Sequence, residues 1–318
     1  MYRLGIDLGG TNIALGLVDE RWNVTMKRSI PTSLPQSPEA LAERIGVFAM
    51  QAVEEEKIPA DEIAAAGIGI PGTVIPGSGT VEYANNLGFI HVPFLKMLQK
   101  YFPFPVFGAN DAKAAAWGEY LAGAGRGASS MVMETLGTGI GGAVIIDGKI
   151  VDGFQYGAGE IGHMVIRRNG RKCTCGRRGC FEMYASASAL SAEGRRAAKK
   201  NPESLLALKC GGNLENVDGK MIFEAAGEGD EAAGKVLSGY IGCLAEGTAN
   251  LINILQPEVL CIGGGLSGAG EALLAPLREA AAALIYSREA ERKTRIVCAS
   301  LGNDAGIIGA ALYQSGRK

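Results

Sequence analysis

Apolar and polar residues alternate over the first twenty positions in the pattern of a β-hairpin. Two apolar runs, residues 2–8 and 12–19, are separated by the segment Gly9-Gly10-Thr11-Asn12. Glycine and asparagine tolerate the positive φ angles of a tight turn, so we expect two antiparallel strands with this segment as their tip.

A second hairpin with the same pattern lies near the middle of the chain. Its predicted strands are residues 130–136 and 143–146, and its tip is Gly137-Thr138-Gly139-Ile140-Gly141-Gly142. In both hairpins the first strand ends in Leu-Gly and a run of small residues follows. We therefore predict that the chain consists of two related halves.

Between and after the hairpins, the pattern predicts short buried strands and amphipathic helices. Apolar residues recur on one face from Pro38 to Glu56, which predicts a helix with Ser37 as its N-cap. Residues 71–93 are glycine-rich and polar, and we expect a long loop with ligand contacts. The remaining predictions are strands at 64–70, 106–109 and 259–262, and helices at 111–121, within 184–255, at about 269–286 and at 307–313.

Composition favours a two-domain α/β protein that acts on small molecules. The chain has 318 residues, and 47% of them are hydrophobic, which is ample for two cores. Its net charge of -2 provides no positive field for nucleic acid or an anionic membrane. The strand pattern begins at residue 2 and no apolar run approaches about eighteen residues, so we expect a cytoplasmic protein without a cleaved leader or membrane span.

Three cysteines and a histidine have the composition of a structural zinc site. Cys173, Cys175 and Cys180 offer thiolates and His163 offers an imidazole, a set that binds Zn²⁺ tetrahedrally. The alternatives are that these cysteines are unpaired or form a disulfide, and that His163 is an ordinary core residue. We expect buried free thiols at the other cysteines, which are Cys210, Cys243, Cys261 and Cys298.

Two carboxylates flank the predicted zinc ligands. Glu160 precedes His163, and Glu182 follows Cys180. Because thiolates and imidazole already complete the coordination that zinc prefers, these carboxylates stay free to hold a polar ligand. The metal would then support a binding site.

Glycine-rich turns mark candidate phosphate sites, although the pattern Gly-x-Gly-x-x-Gly is too common to be diagnostic. It occurs at residues 67–72, 137–142 and 263–268, and only the last lies between a predicted strand and helix. An acidic ribose ligand about twenty residues further on is missing, which argues against a dinucleotide site. The turn Gly263-Gly264-Gly265 can still bring backbone close to a nucleoside.

The two hairpin tips can present backbone N–H groups to a triphosphate. Asp7 precedes the first tip and could bind Mg²⁺ directly or through water. The alternative is that each tip is an ordinary turn. The candidate nucleotide-binding residues are Asp7, Gly9, Gly10, Thr11, Asn12, Gly137, Thr138, Gly139, Gly263, Gly264 and Gly265.

Together these motifs, in their order along the chain, resemble the ROK family of sugar kinases and repressors, and most closely its glucokinases. The resemblance covers essentially the whole chain. It implies an α/β, two-lobed actin-like ATPase fold of ribonuclease-H-like lobes, with nucleotide and sugar in the cleft between them. The domains expected are residues 1–118, with a C-terminal helix at about 301–318 packed back on them, and residues 119–300, with a zinc-binding insertion at 153–184.

The resemblance also implies roles for individual residues. Asp111 would be the general base for the sugar hydroxyl, although from the residues alone it could equally be a helix N-cap. His163 would bind zinc through one ring nitrogen and face the sugar with the other. The implied sugar-binding residues are Gly72, Asn110, Asp111, Glu160, His163 and Glu182.

The function implied is phosphorylation of a hexose by ATP, with Mg²⁺ and a structural Zn²⁺, and glucose phosphorylated at its 6-hydroxyl is the expected reaction. N-acetylmannosamine, mannose or fructose are alternative sugars, because Phe89 stands where glucokinases of the family commonly have tryptophan. A sugar-responsive repressor is the other alternative, but the strand at residue 2 leaves no segment for a helix-turn-helix. We expect a homodimer or homotetramer without nucleic-acid or membrane partners.

Overall fold

The computed structural model describes residues 1–313, in which strands alternate with helices. The strands are β1 (Tyr2–Leu8), β2 (Asn12–Val18), β3 (Val24–Pro31), β4 (Ile63–Ile70), β5 (Thr73–Ile75), β6 (Thr80–Ala84), β7 (Phe89–Val92), β8 (Val106–Asn110), β9 (Ser130–Leu136), β10 (Ile140–Ile146), β11 (Lys149–Ile150), β12 (Val259–Gly263) and β13 (Arg295–Cys298). The helices are α1 (Pro38–Glu55), α2 (Phe94–Leu98), α3 (Asp111–Ala122), α4 (Glu182–Ala185), α5 (Ala187–Lys200), α6 (Leu205–Lys209), α7 (Gly219–Gly227), α8 (Glu231–Leu255), α9 (Glu271–Leu284) and α10 (Asp304–Leu312). Residues 314–318, the end of the predicted C-terminal helix, lie outside the described residues. In the described range, no helix has both the length and the apolar character needed to cross a bilayer.

Two mixed sheets within residues 1–313 repeat one strand order. The first sheet has the order β3-β2-β1-β4-β8, and the second has the order β11-β10-β9-β12-β13. If the five strands of each sheet are numbered by their order along the chain, both sheets have the spatial order 3-2-1-4-5. The parallel pairs include β1 with β4 and β9 with β12. The prediction of two related halves is confirmed.

Both predicted hairpins form, but the second tip is shorter than expected. In the first, β1 and β2 are antiparallel, and the N–H of Gly9 donates to the carbonyl of Asn12 at 2.9 Å. In the second, β10 begins at Ile140 instead of residue 143. Ile140 is buried, so it continues the strand and leaves Gly137–Gly139 as the tip.

Helix α1 begins as predicted. The Ser37 hydroxyl accepts from the N–H of Ala40 at 3.2 Å, which satisfies one of the free donors at the helix start. Leu41, Ile45 and Val53 are buried in the core of the first sheet.

The expected loop at residues 71–93 is wrong, because β5, β6 and β7 form a small antiparallel sheet there. Val74, Val81 and Phe89 are buried in the core that also contains β1 and β4. The Phe89 ring lies 5.2 Å from that of Phe94, between ring centroids. This residue therefore packs in the core of the first unit.

A short 3-10 helix separates β12 from α9, where the sequence predicted an immediate α-helix. It spans Gly265–Ala269, and α9 begins at Glu271. The glycines of this segment permit the tighter turn.

The chain folds into two compact units. The first comprises Met1–Ser130, Ala143–Gly159 and the residues from Ser300 onward, and the second comprises Met131–Gly142 and Glu160–Ala299. In the first unit, α10 packs against α3, β1 and β4. The division keeps α3 whole, whereas the predicted limit at residue 118 falls inside this helix; the predicted domain limits stay a prediction.

Candidate active site

The carboxyl end of β8 leads directly into α3, and this junction positions Asn110 and Asp111. The Asn110 side-chain oxygen accepts from the N–H of Lys113 at 3.0 Å, so Asn110 is the N-cap. Asp111 is instead the first residue of the helix, and its Oδ1 accepts from the N–H of Ala112 at 2.9 Å. The alternative of Asp111 as the cap is therefore wrong, and its second carboxylate oxygen is not used for capping.

Asn110 also connects Asp111 to Gly72. Its Nδ2 donates to Asp111 Oδ1 at 2.9 Å and to the Gly72 carbonyl at 3.1 Å. Gly72 has a φ of +114°, and a Cβ at this position would lie 2.2 Å from the Tyr83 carbonyl oxygen. Only glycine fits there without strain. The structure thus brings Gly72, Asn110 and Asp111 together.

Asp7 on β1 is a second carboxyl group of the same unit, and like Asp111 it is half-buried. Burial raises the pKa of Asp7 to about 6, and the nearby charge of Asp111 acts in the same direction. Burial also raises the pKa of Asp111, against the opposing effect of its hydrogen bonds from Ala112 and Asn110. A divalent cation would relieve the repulsion between two such carboxylates, so this pair fits Mg²⁺.

Lys113 is a residue of this region that the sequence did not single out. Its ammonium group is buried and contacts Asp152 Oδ1 at 3.1 Å and the Tyr156 carbonyl at 2.9 Å. The pair joins α3, two residues after Asp111, to the segment that precedes Glu160. In the sequence, the only sign of this ion pair is a lysine among the alanines at the start of the helix. That sign does not identify Asp152 as its partner.

The first hairpin tip is held by hydrogen bonds from Thr32, and most of its residues are exposed to solvent. The hydroxyl of the fully buried Thr32 donates to the Gly9 carbonyl at 2.7 Å, and its N–H donates to the Thr11 carbonyl at 2.8 Å. Gly10, Thr11 and Asn12 are exposed. The tip is therefore a rigid turn with accessible backbone.

The second tip lies beside the glycine turn that follows β12. The N–H of Ala187 donates to the Gly137 carbonyl at 2.9 Å, and Thr138 is exposed. Gly264 has a φ of +80°, and a Cβ there would lie 2.5 Å from the Leu136 carbonyl oxygen. The structure therefore brings the tip Gly137–Gly139 and the turn Gly263–Gly265 together, as a nucleotide site would require.

The predicted zinc ligands form one cluster. The ligand atoms of His163, Cys173, Cys175 and Cys180 all lie within 4.8 Å of one another. His163 Nδ1 is 3.6 Å from Cys173 Sγ, and Cys175 Sγ is 3.6 Å from Cys180 Sγ. Ligands of a tetrahedral zinc with bonds of about 2.0–2.3 Å are separated by about 3.3–3.8 Å, so the donor set and these two separations fit this metal.

The cysteines themselves are free. Within residues 1–313 no disulfide is formed, so the disulfide alternative is not realised. Backbone hydrogen bonding from Arg177 lowers the pKa of the Cys175 thiol, whereas burial raises the pKa of the Cys173 and Cys180 thiols. In the absence of a metal, only Cys175 of these three therefore favours the thiolate form. Of the scattered cysteines, Cys210, Cys243 and Cys261 are buried as expected, and Cys298 is half-buried.

Glu182 adjoins the cluster through its side chain, whereas Glu160 contacts His163 through its backbone. Glu182 Oε1 lies 3.0 Å from Cys173 Sγ and 3.6 Å from His163 Nδ1. Its Oε2 would be 2.6 Å from a Cβ on Gly139, so the carboxylate reaches from the cluster to the second tip. Glu160 is exposed, and its backbone carbonyl accepts from the N–H of His163 at 3.2 Å. Because Nδ1 of His163 points into the cluster, Nε2 is the ring nitrogen available to another ligand.

Comparison with known proteins shows the family to which the chain belongs. The sequence model of the ROK family matches residues 3–316. The chain is 37% identical to a glucokinase of Streptomyces coelicolor, over 97% of this chain and 96% of that protein, and 32% identical to an N-acetylmannosamine kinase of Escherichia fergusonii over the full length of both. It is also similar to the crystal structure of a ROK family glucokinase from Streptomyces griseus in complex with glucose and AMPPNP, with a TM-score of 0.85, 35% identity and 98% coverage of each chain. The predicted actin-like ATPase fold is confirmed.

Proposed function

Because this chain belongs to the ROK family, we propose that it is an ATP-dependent hexose kinase whose preferred substrate is glucose. The observation that carries the proposal is the Asp111 carboxylate, which is positioned at the start of α3 by Asn110 and has a raised pKa. A carboxylate of this kind is a suitable general base for a sugar hydroxyl. The products would be glucose 6-phosphate and ADP.

In the proposed reaction Asp111 accepts the proton of the 6-hydroxyl. The oxygen forms a bond to the γ-phosphorus of ATP while the bond from that phosphorus to the bridging oxygen breaks, and its electron pair leaves with ADP. A base with a pKa closer to the working pH combines the ionised form with a useful proton affinity. The elevated pKa of Asp111 is therefore consistent with this role.

The remaining candidate residues would hold the two substrates. The hairpin tips and the turn Gly263–Gly265 would donate backbone N–H groups to ATP, and Asp7 would hold the Mg²⁺ that neutralises the phosphates. Gly72, Asn110, Glu160, His163 and Glu182 would contact sugar hydroxyls. When bound to His163 and the three clustered cysteines, Zn²⁺ would supply structural rigidity.

A second candidate sugar is N-acetylmannosamine, since kinases for this sugar are 32% identical to the chain over its full length. It differs from glucose by an acetamido group and by its configuration at carbon 2. We further propose a cytoplasmic homodimer or homotetramer, which light scattering on the purified protein would test.

The experiment that tests the proposal is a sugar panel with coupled detection of ADP. We expect the kcat/KM for glucose to exceed that for N-acetylmannosamine, mannose and fructose by at least about tenfold, because buried polar groups discriminate strongly between hydroxyl patterns. Preference for N-acetylmannosamine would replace glucose by the second candidate. If no sugar in the panel stimulated ADP release, the kinase proposal would fail, and binding to operator DNA would become the next measurement.

A further inference from the structure

A cavity of about 450 Å³ lies at the ends of α8 and α9, beside the start of β13. All its lining residues fall within 252–297, inside the second unit. It lies near the amino ends of the parallel strands β12 and β13, where Val259 pairs with Arg295. The turn Gly263–Gly265 is at the opposite end of β12, roughly 13 Å away at the rise of an extended strand. Within the second unit, the cavity is therefore separate from the candidate nucleotide-binding turn, and no candidate site residue lines it.

One part of the cavity wall is apolar. It is formed by aliphatic side chains at the ends of both helices and on β13, which are Ile252, Ala282, Ile285, Ile296 and Val297. Such a wall favours an apolar or aromatic group, because its burial releases water.

The rest of the wall is strongly cationic. The basic side chains that line it are Arg278, Arg288, Arg292, Lys293 and Arg295, and among the described lining residues there is no carboxylate. Glu289 and Glu291 belong to the same exposed loop as Arg288, Arg292 and Lys293, but they do not line the cavity. The chain as a whole has a net charge of -2, so this excess of positive charge is confined to the lining of this cavity.

In the part of the chain that the structure describes, two of these five cations have an acidic partner. Arg278 binds Glu271 at 2.8 Å, and Arg295 approaches Glu258 at 3.7 Å. Within residues 1–313, no ion pair involves Arg288, Arg292 or Lys293. These three charges can therefore bind an anion without first losing an internal partner.

Hydrogen bonds fix the frame of the cavity. The Thr294 hydroxyl donates to the Pro257 carbonyl at 2.7 Å, and Arg278 Nε donates to the Ile296 carbonyl at 2.9 Å. Asn253 joins the helix ends, because its side chain accepts from the N–H of Tyr286 at 2.7 Å and donates to the Leu284 carbonyl at 3.3 Å. These bonds hold the helix ends and the start of β13, whereas Arg288, Arg292 and Lys293 are exposed side chains at the edge of the cavity. The apolar part of the wall is thus formed before any ligand binds, which reduces the entropic cost of binding.

We propose that this cavity is a second binding site, separate from catalysis, for a small organic dianion with an apolar body. The apolar group would lie on the wall formed by Ile285, Ile296 and Val297, and the anionic group would contact Arg288, Arg292 and Lys293. The excess of unpaired cations favours a doubly charged group, such as a phosphate, over a carboxylate.

The probe for this site is the aromatic sulfonate 8-anilinonaphthalene-1-sulfonate, added to the full chain in the presence of glucose and AMPPNP so that the active site is occupied. We expect saturable binding with a fluorescence increase. The double variant Arg292→Glu with Lys293→Glu should weaken it by at least about tenfold, since close charge pairs contribute that much or more. Ala282→Phe should weaken it similarly by filling the cavity while every cation is retained.

The matched control is Lys57→Glu with Lys100→Glu, which changes the net charge equally at exposed positions of the first unit. This variant should bind the probe as the parent does. In competition, 1-naphthyl phosphate should displace the probe at a concentration about tenfold lower than 1-naphthoate, because the two differ in charge and share one body. Equal binding by all variants would overturn the site, and equal displacement by both competitors would overturn its preference for a dianion. Kinase activity of the cavity variants should be unchanged, so this outcome is independent of the proposed function.

Discussion

The region around Asp111 and the cluster around His163 are held in place in different ways. Asp111 starts an α-helix, and the nearby Asp7 lies on β1, which is paired with β2 and β4 on either side. The segment from His163 to Cys180 has little regular structure: within the described residues, its named strand pairing consists of the isolated bridges Val165 with Cys180 and Lys172 with Arg178.

This difference indicates which of the two regions depends on a bound ligand for its ordered structure. The core and the sheet hydrogen bonds position Asp7 and Asp111 whether or not a substrate is bound. The cluster of His163, Cys173, Cys175 and Cys180 lies in turns and loops, whose backbone hydrogen bonds include Cys173 N–H to the Arg177 carbonyl at 2.9 Å. No continuous sheet or long helix of the described residues supports these four metal-binding groups, so we expect their order to depend on the metal. Changes at the two sites should therefore separate activity from local stability.

The largest expected effect is on turnover, from Asp111→Asn. The amide keeps the size of the side chain and an oxygen that can accept from Ala112, but it cannot take the proton of the sugar hydroxyl. We expect kcat to fall by about 10²- to 10⁴-fold, the usual contribution of a positioned base. Glucose binding, measured by calorimetry, should persist, because the frame of α3 does not depend on this charge.

Asp61→Asn is the matched control, since Asp61 is an exposed acid of the same unit. It should retain the kcat of the parent. Near-normal turnover of Asp111→Asn would remove Asp111 from the proposed mechanism and leave its position unexplained.

The second effect is on the zinc cluster, from Cys175→Ser. Cys175 is exposed, so the substitution costs little buried contact, and a loss of order would be due to the metal. We expect zinc, measured by elemental analysis, to be lost, and the KM for glucose to rise by about 10- to 100-fold. Hydrogen exchange should show faster exchange in residues 160–182 and unchanged exchange in α3.

Cys210→Ser tests whether the effect belongs to the cluster. Cys210 is buried and its thiol donates to the Ala207 carbonyl at 3.1 Å, a bond that serine can also make. This variant should keep its zinc and its KM. A fully active parent protein that contains no zinc would contradict the role of the metal as a support for the sugar site.

Local patterns predicted most of the fold. The hairpin at residues 2–19, helix α1 with its Ser37 cap and the grouping of the zinc ligands all depend on residues that are close in sequence. The sheet at residues 71–93 was not predicted, because β5 has only the residues Thr73–Ile75, and glycines interrupt the apolar pattern between it and β6. These strands are stabilised by burial of Val74 and Val81 in a core formed by residues distant in sequence. The local sequence pattern contains no information about that core.

The candidate site shows the same limit. The sequence placed Asn110 and Asp111 at the start of a helix but could not assign the cap, since both residue types are good N-caps. The geometry decides it, because the Asn110 side chain accepts from Lys113. The ion pair of Lys113 with Asp152 was also missed, as its partners are separated by 39 positions and no periodic pattern connects them.

The smallest expected effect is on stability, from Asp7→Asn. The two substitutions above impair the protein, whereas this one should stabilise it. The pKa of Asp7 is raised from 3.8 to about 6 by burial and by the charge of Asp111. The folded state therefore binds this proton more tightly than the unfolded state. The contribution of Asp7 to stability is consequently most favourable below about pH 4 and is lost as the pH rises through about 6. At neutral pH and above, the ionised carboxylate destabilises the substrate-free protein by up to about 3 kcal/mol.

Asp7→Asn should thus stabilise the substrate-free protein by about 1–2 kcal/mol at about pH 8, since local relaxation reduces the full penalty, and by much less at about pH 4. Urea unfolding of parent and variant at both pH values measures the difference, with Asp61→Asn as the control of equal charge change. The same variant should lose most kinase activity, because Asp7 is the proposed Mg²⁺ ligand. Removing a functional group would then stabilise the region held by the core, whereas Cys175→Ser destabilises the region held by the metal. If Asp7→Asn were instead less stable than the parent at about pH 8, its carboxylate would be part of the structural frame, and the contrast between the two regions would not hold.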